Sequence, residues 1–188
     1  MTVKPDFGFL TDAMQYEDEM PISKHLIQPR AEGELAFILK KDLVGPGITN
    51  ADVIAAREAV VPCFEVVDSR IENWQIRIQD TIADNASCAF FAINEHAAIQ
   101  PEKIALSDCR MTVTKNDAVI SRGLGSAAMG DPIHCVTWLA NTLGQFGITL
   151  SSGDIILSGS LVPLEPIKAG DRMTVSIEVI GDCSLAFT

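Results

Sequence analysis

The stretch Arg30-Ala31-Glu32-Gly33-Glu34-Leu35-Ala36-Phe37-Ile38-Leu39 decides how this chain is read. Leu35, Phe37 and Leu39 alternate with Glu34, Ala36 and Ile38, which is strand periodicity with one wholly apolar face. Side chains alternate across a strand, so Glu32 and Glu34, two residues apart at its mouth, point to the same side and lie within reach of one ion. A second run, Val60-Val61-Pro62-Cys63-Phe64-Glu65-Val66-Val67, is β-branched, too short for a buried helix and suited to a strand covered on both faces. Glu65 interrupts it, and an unpaired negative charge in such a setting demands compensation.

If these two strands are neighbours, three carboxylates meet in one partly buried site. A hard divalent cation such as Mg²⁺ or Mn²⁺ would remove their repulsion through oxygen ligands, leaving octahedral positions for water and substrate. Two alternatives stand beside this. Alternating glutamates also mark the solvated face of an edge strand, and Glu65 has a possible partner in Arg30 or Arg70.

Outward from this centre, Met1 to Arg30 holds Pro5, Gly8, Pro21 and Pro29 without periodicity and reads as entry loops with short strands. After a turn at Gly45-Pro46-Gly47, Thr49 and Asp52 stand in capping-box spacing, predicting a short helix from Thr49 or Asn50 to near Ala59. Met111 to Thr114 and Ala118 to Ser121 flank Lys115-Asn116-Asp117 as a hairpin. Asp131 as N-cap, Pro132 at the first helical position and Ile133, Val136, Leu139, Ala140 and Leu143 at helical spacing predict a helix stopped by Gly144 or Gly147. Strands follow at Ile155 to Leu157 and Met173 to Ile180. The predicted class is therefore α+β and rich in β: a mixed β-roll or barrel-like sheet with a few covering helices, in a single domain over 1–188.

Composition narrows the partners. A net charge of −11 repels phosphate backbones, so nucleic acid is excluded as a partner. An acidic protein that takes an acidic ligand must gather positive charge locally, and a bound metal ion does so economically. The five cysteines are scattered with no CxxC pair, which predicts reduced, mostly buried thiols and neither a zinc site nor a disulfide framework. With no basic region followed by an apolar run at the start and no stretch of 18 apolar residues, neither secretion nor membrane spanning is expected, and a cytoplasmic location fits. His25 and His96 fall in polar connecting segments and His134 in a first helical turn, so surface or structural roles are expected for all three.

The segments Gln28-Pro29-Arg30-Ala31-Glu32-Gly33-Glu34-Leu35-Ala36-Phe37, Phe64-Glu65-Val66-Val67-Asp68-Ser69-Arg70 and Ala83-Asp84-Asn85-Ala86-Ser87, in this order and spacing, resemble the hydratase and decarboxylase branch of the fumarylacetoacetate hydrolase superfamily. Pro5-Asp6-Phe7-Gly8, Gly123 to Pro132, Ser158-Gly159-Ser160 and Lys168-Ala169-Gly170-Asp171 extend the resemblance over nearly the whole chain. Pro5-Asp6-Phe7-Gly8-Phe9-Leu10 and Leu161-Val162-Pro163-Leu164 look more like the hydratases of aromatic meta-cleavage pathways than the 4-oxalocrotonate decarboxylases.

The resemblance implies that Glu32, Glu34 and Glu65 are metal ligands, in agreement with the argument from alternation and burial. It implies an acid/base role for Asp6, contacts from the loop bearing Asn85 and Ser87, and a pocket completed around Ser158 and Gly159. Each has a plainer role: Asp6 capping a turn, Asn85 in a left-handed position, Ser158-Gly159 as a strand exit. The implied activity is metal-dependent hydration of 2-hydroxypenta-2,4-dienoate to 4-hydroxy-2-oxopentanoate, with decarboxylation of 4-oxalocrotonate or a non-catalytic metal-binding fragment as the alternatives. The implied partners are a small 2-oxo or 2-hydroxy dienoic acid, further copies in a homo-oligomer, and a 4-oxalocrotonate decarboxylase. Members of the branch usually begin with roughly seventy further residues forming a mostly helical region, which a chain of 188 is not expected to contain.

Overall fold

A computed structural model describes residues 5–22, 26–94 and 105–188; His25 and His96 lie outside them. Short strands β1 (Gln15–Tyr16) and β2 (Glu19–Met20) open the described chain, as the Pro- and Gly-punctuated start predicts. The alternating stretch forms β3 (Arg30–Leu39). Helix α1 (Asn50–Ala56) begins on the predicted capping box: the Thr49 hydroxyl accepts from the Asp52 N–H, and the Asp52 carboxylate accepts from the Thr49 N–H at 2.8 Å. It stops at Ala56, three residues short of the expected end, because Arg57 already takes extended geometry and pairs with Leu39 as the first residue of β4 (Arg57–Val67).

Residues 78–93, to which the alternation argument assigns nothing, supply helix α2 (Ile78–Ala83) and strand β5 (Cys88–Ile93). The predicted hairpin is β6 (Arg110–Lys115) and β7 (Ala118–Leu124), with Asn116 and Asp117 alone in the turn at φ 50° and 67°. Helix α3 (Pro132–Gly144) starts on the Asp131 carboxylate, which accepts from the Ile133 N–H at 2.9 Å, and ends at the first of its two candidate glycines.

Strands β8 (Ile155–Leu157), β9 (Glu165–Pro166), β10 (Arg172–Ile177) and β11 (Gly181–Phe187) complete the chain. The expected strand from Met173 to Ile180 is thus corrected: it turns after Ile177, and Val179, which continues the alternation, sits exposed in the turn at φ 61°.

These strands build two mixed sheets. One runs β1-β5-β4-β3-β8, with β9 also on β3; the other runs β2-β11-β10-β6-β7. Pairing is antiparallel except where β1 meets β5 and β2 meets β11. The β-rich α+β expectation holds. Alternation gives the first sheet two faces. Leu35, Phe37, Val60, Phe64 and Val66 belong to the main core, together with Met111, Met173 and Val175 of the second sheet. Gly33 marks the close approach of the sheets: a Cβ there would lie 2.8 Å from Met111 Sδ and 3.1 Å from Val175 Cγ2. The opposite face carries the smaller cluster of Ala36, Val61, Cys63, Phe91 and Ile93. Glu32, Glu34 and Glu65 are on that face. Among the described residues no helix is long and apolar enough to cross a membrane.

Candidate metal centre

Register brings the carboxylates together. β3 and β4 pair antiparallel with Glu32 directly opposite Glu65 and Glu34 opposite Cys63, so all three glutamates project from one face. One oxygen from each lies within 4.8 Å of the others. The surroundings are apolar: Glu34 is 1% exposed, and its Oε1 meets no hydrogen-bond donor among the described residues. Its Oε2 accepts from the Gly159 N–H at 2.7 Å.

This crowding shows in the acid strengths. Burial first, and then the Glu65 charge, raise Glu32 to about 8, with the Ser160 hydroxyl acting in the opposite direction. Burial raises Glu34 well above the carboxylate range, helped by Glu65 and Glu32. Burial likewise raises Glu65, against a hydrogen bond from the Cys88 thiol. The alternative compensation for Glu65 does not form: the Arg30 guanidinium stacks 4.7 Å from the Trp74 ring centroid, and Arg70 pairs with Asp84 at 3.2 Å. An all-oxygen cluster with an orphaned buried carboxylate oxygen fits a hard divalent cation.

The cluster forms part of the lining of a cleft of about 890 Å³ that also takes in Asp6, Cys88, Cys135, Ser158 and Gly159. Asp6 enters from the loop before β1, close enough for its charge to raise Glu65, and its Oδ2 is buried without a hydrogen-bond partner among the described residues. Ser158 turns its hydroxyl to backbone, donating to the Gly159 carbonyl at 3.2 Å, while Gly159 contributes its N–H to Glu34.

Asn85 and Ser87 are not brought into the lining. They occupy a left-handed turn, at φ 54° and 56° with Ala86 at 58° between them. The Asn85 amide is spent on the backbone of Phe9, and the Ser87 hydroxyl faces Asp84 Oδ2 at 3.4 Å. Asn85 thereby supports the loop that carries Asp6. His134 is exposed in the first turn of α3, its Nδ1 3.5 Å from the Met129 carbonyl. All five cysteines are free, four of them buried.

Sequence reasoning did not pick out Phe7, Cys88, Cys135 or Trp138 as site residues, although they line the same cleft as the carboxylates. Cys88 opens a strand that pairs with β4, but the uniform apolarity of that strand hides it in the sequence. The others depend on how α3 and the entry loop settle over the sheet.

The chain is similar to known proteins over most of its length. A 2-hydroxyhexa-2,4-dienoate hydratase of Comamonas testosteroni is 56% identical over 188 residues, covering 98% of this chain and 71% of the relative. A 2-hydroxypent-2,4-dienoate hydratase of Pseudomonas putida is 63% identical over 147 residues, 77% of this chain and 66% of the relative. The solved 4-oxalocrotonate decarboxylase from Pseudomonas putida G7, complexed with magnesium and adipate, superposes with a TM-score of 0.90 at 34% identity over 96% of this chain and 69% of that one. The chain therefore spans between 66% and 71% of the length of these proteins. Residues 8–187 match the fumarylacetoacetate hydrolase C-terminal model, and the chain belongs to that family.

Proposed function

We propose that this chain carries the catalytic centre of a divalent-metal-dependent hydratase that converts 2-hydroxypenta-2,4-dienoate to 4-hydroxy-2-oxopentanoate in the meta-cleavage catabolism of aromatic compounds. The observation that carries the reading is the convergence of Glu32, Glu34 and Glu65 to within 4.8 Å in an apolar setting. Relatives at 56% and 63% identity, both named as dienoate hydratases, support hydration over the decarboxylase alternative. A related structure holding magnesium and another holding calcium support a divalent ion, and the oxygen-only donor set suits Mg²⁺ or Mn²⁺.

In this reading Glu32, Glu34 and Glu65 hold the ion, and the Gly159 N–H fixes the carboxylate of Glu34. Bound there, a divalent ion would neutralise the three carboxylates and supply Lewis-acid polarisation to the acidic substrate. Asp6 borders the same space and moves a proton. The reaction gains a proton at the terminal carbon, loses the enol proton to give the α,β-unsaturated 2-oxo acid, and adds the hydroxyl and hydrogen of water across C4 and C3. The protein works in the cytoplasm on a small dienoic acid, as a homo-oligomer or beside a 4-oxalocrotonate decarboxylase.

The test follows loss of dienol absorbance with 2-hydroxypenta-2,4-dienoate and Mg²⁺ or Mn²⁺, for this chain and for Glu65→Ala. Metal-dependent turnover abolished by the substitution is expected. Metal-independent turnover, or turnover surviving in Glu65→Ala, overturns the assignment. Metal binding without turnover favours the non-catalytic fragment.

A further inference from the structure

Glu32, Glu34 and Glu65 stand on β3 and β4, and the segments that flank these two strands both break register beside them. On the β4 side, Glu65 pairs with Phe91 and Val66 with Phe90, but Val67 pairs with Cys88, so Ala89 is left over as a bulge. In unbroken register Ala89 would oppose Val67 and share the face of Glu65. The bulge gives that place to Cys88, whose buried thiol lines the cleft and hydrogen-bonds to Glu65.

On the other side the chain follows β3 past the end of β8. The Ser158 N–H donates to the Leu35 carbonyl at 2.9 Å, and a regular ladder would next bring the Ser160 N–H to the Gly33 carbonyl. The Leu161 N–H makes that bond instead, at 3.1 Å, so this segment also carries an extra residue. Gly159 takes it up at φ 87°; a Cβ there would meet nothing within 4 Å, so glycine serves conformation and not space. The Gly159 N–H donates to Glu34 Oε2 at 2.7 Å and leaves Oε1 for an ion. The next side chain, Ser160, lines the cleft and shares its hydroxyl between Glu32 and the Val162 carbonyl, the latter at 2.5 Å.

We propose that Cys88 and Ser160 are positioning residues of the metal centre: presented by bulges on either side of β3 and β4, they orient Glu65 and Glu32 as the Gly159 N–H orients Glu34. The inference rests on the metal-centre reading and deepens it. Cys88 acts through Glu65 and not as a ligand, because the mutually close ligand atoms are those of the three glutamates. A carboxylate bound to an ion through one oxygen still rotates, and a hydrogen bond from outside fixes it. Loss of such a bond costs about 10–100-fold in metal affinity.

The experiment titrates Mn²⁺ into the chain and follows the free ion by electron paramagnetic resonance, with thermal melts to show that each variant is folded. Cys88→Ala, Cys88→Val and Ser160→Ala remove the donor and are each expected to weaken Mn²⁺ binding by about tenfold or more. Cys88→Ser and Ser160→Thr keep a donor and are expected to bind within about threefold of the unaltered chain. Full affinity in the donor-free variants overturns the proposal and leaves the metal centre intact. Serine or threonine variants as weak as the donor-free ones, or a loss in Cys88→Ala that Cys88→Val does not share, make the effect one of packing and overturn it too. Absence of Mn²⁺ binding by the unaltered chain, or equal binding by Glu65→Ala, overturns the metal centre itself and the proposal with it.

Discussion

The side-chain amide of Asn85 grips the backbone of Phe9 at both ends, accepting from its N–H at 2.8 Å and donating to its carbonyl at 2.9 Å. Gly8 completes the contact: a Cβ there would lie 2.5 Å from the Asn85 carbonyl oxygen, so glycine alone lets the two segments close. The loop bearing Asp6 and Phe7 is therefore held over the carboxylates by a residue 76 positions further along the chain. Asn85 also sits at φ 54°, a region asparagine tolerates better than alanine. Asn85→Ala removes two hydrogen bonds and adds backbone strain, for an expected loss of about 1–3 kcal/mol in unfolding free energy. Denaturant melts should show that loss. Turnover should fall while Mn²⁺ affinity stays unchanged, because Asn85 touches none of the three glutamates. Unchanged turnover would show that the clamp is dispensable to the chemistry.

This clamp illustrates where sequence reading stops. Glu32, Glu34 and Glu65 were legible because strand geometry alone puts i and i+2 on one side, and because a carboxylate inside a β-branched run is anomalous wherever it folds. Asn85 was legible as a residue of interest, but its partner depends on a contact with the distant entry loop. Strand β5, Cys88–Ile93, is apolar at every position and so carries no alternation to detect. Strand β11 does alternate between buried and exposed positions, but Val179 extends the apolar rhythm of β10 into the turn and hides where one strand ends and the next begins. Phe7 and Trp138 become neighbours only through packing.

The acid strengths of the cluster fix a pH dependence. Burial, with the charge of the neighbouring glutamates, raises Glu32 to about 8 and raises Glu34, and burial with the Asp6 charge raises Glu65, so the metal-free folded state holds more protons than the unfolded chain between the ordinary glutamate value of 4.5 and about 8. The stability this contributes is complete below the unfolded value and is lost as pH rises through the folded one. With chelator present, the melting temperature should fall between about pH 5.5 and about pH 8.5. Glu65→Gln should flatten that slope. Saturating Mn²⁺ should reverse it, since the ligands must be deprotonated to bind, and calorimetry in buffers of different ionisation enthalpy should detect the released protons. A slope unaffected by metal would refute the proposed ligand set.

Gly123 on β7 supports the site from outside. A Cβ there would lie 2.0 Å from the Leu161 carbonyl oxygen and 2.9 Å from its carbon, both backbone atoms that cannot rotate away. Leu161 is two residues beyond Gly159, whose N–H holds Glu34. Gly123→Ala should therefore displace the 158–162 segment, destabilise the fold by about 1–3 kcal/mol and weaken Mn²⁺ binding together. Thermal melts and metal titrations on the same preparation would check this. Loss of stability with full metal affinity would show that the displacement stops short of Gly159.

Asp6 differs from the glutamates in what its removal should do. It borders the cleft from a loop, its Oδ2 is buried without a hydrogen-bond partner among the described residues, and its charge bears on Glu65. If it moves a proton, Asp6→Asn keeps the shape and removes the function. Turnover of 2-hydroxypenta-2,4-dienoate should then drop by about 10²–10⁴. Mn²⁺ should bind as well as before, and 2-oxopentanoate affinity should change little, because neither interaction needs the proton. A parallel loss of metal affinity would instead make Asp6 a fourth member of the carboxylate cluster, and turnover within a few fold of the unaltered chain would remove it from the chemistry altogether. Running metal binding, ligand binding and turnover on Asp6→Asn and Glu65→Gln side by side separates holding the ion from moving the proton, since Glu65→Gln should lose all three and Asp6→Asn only the last.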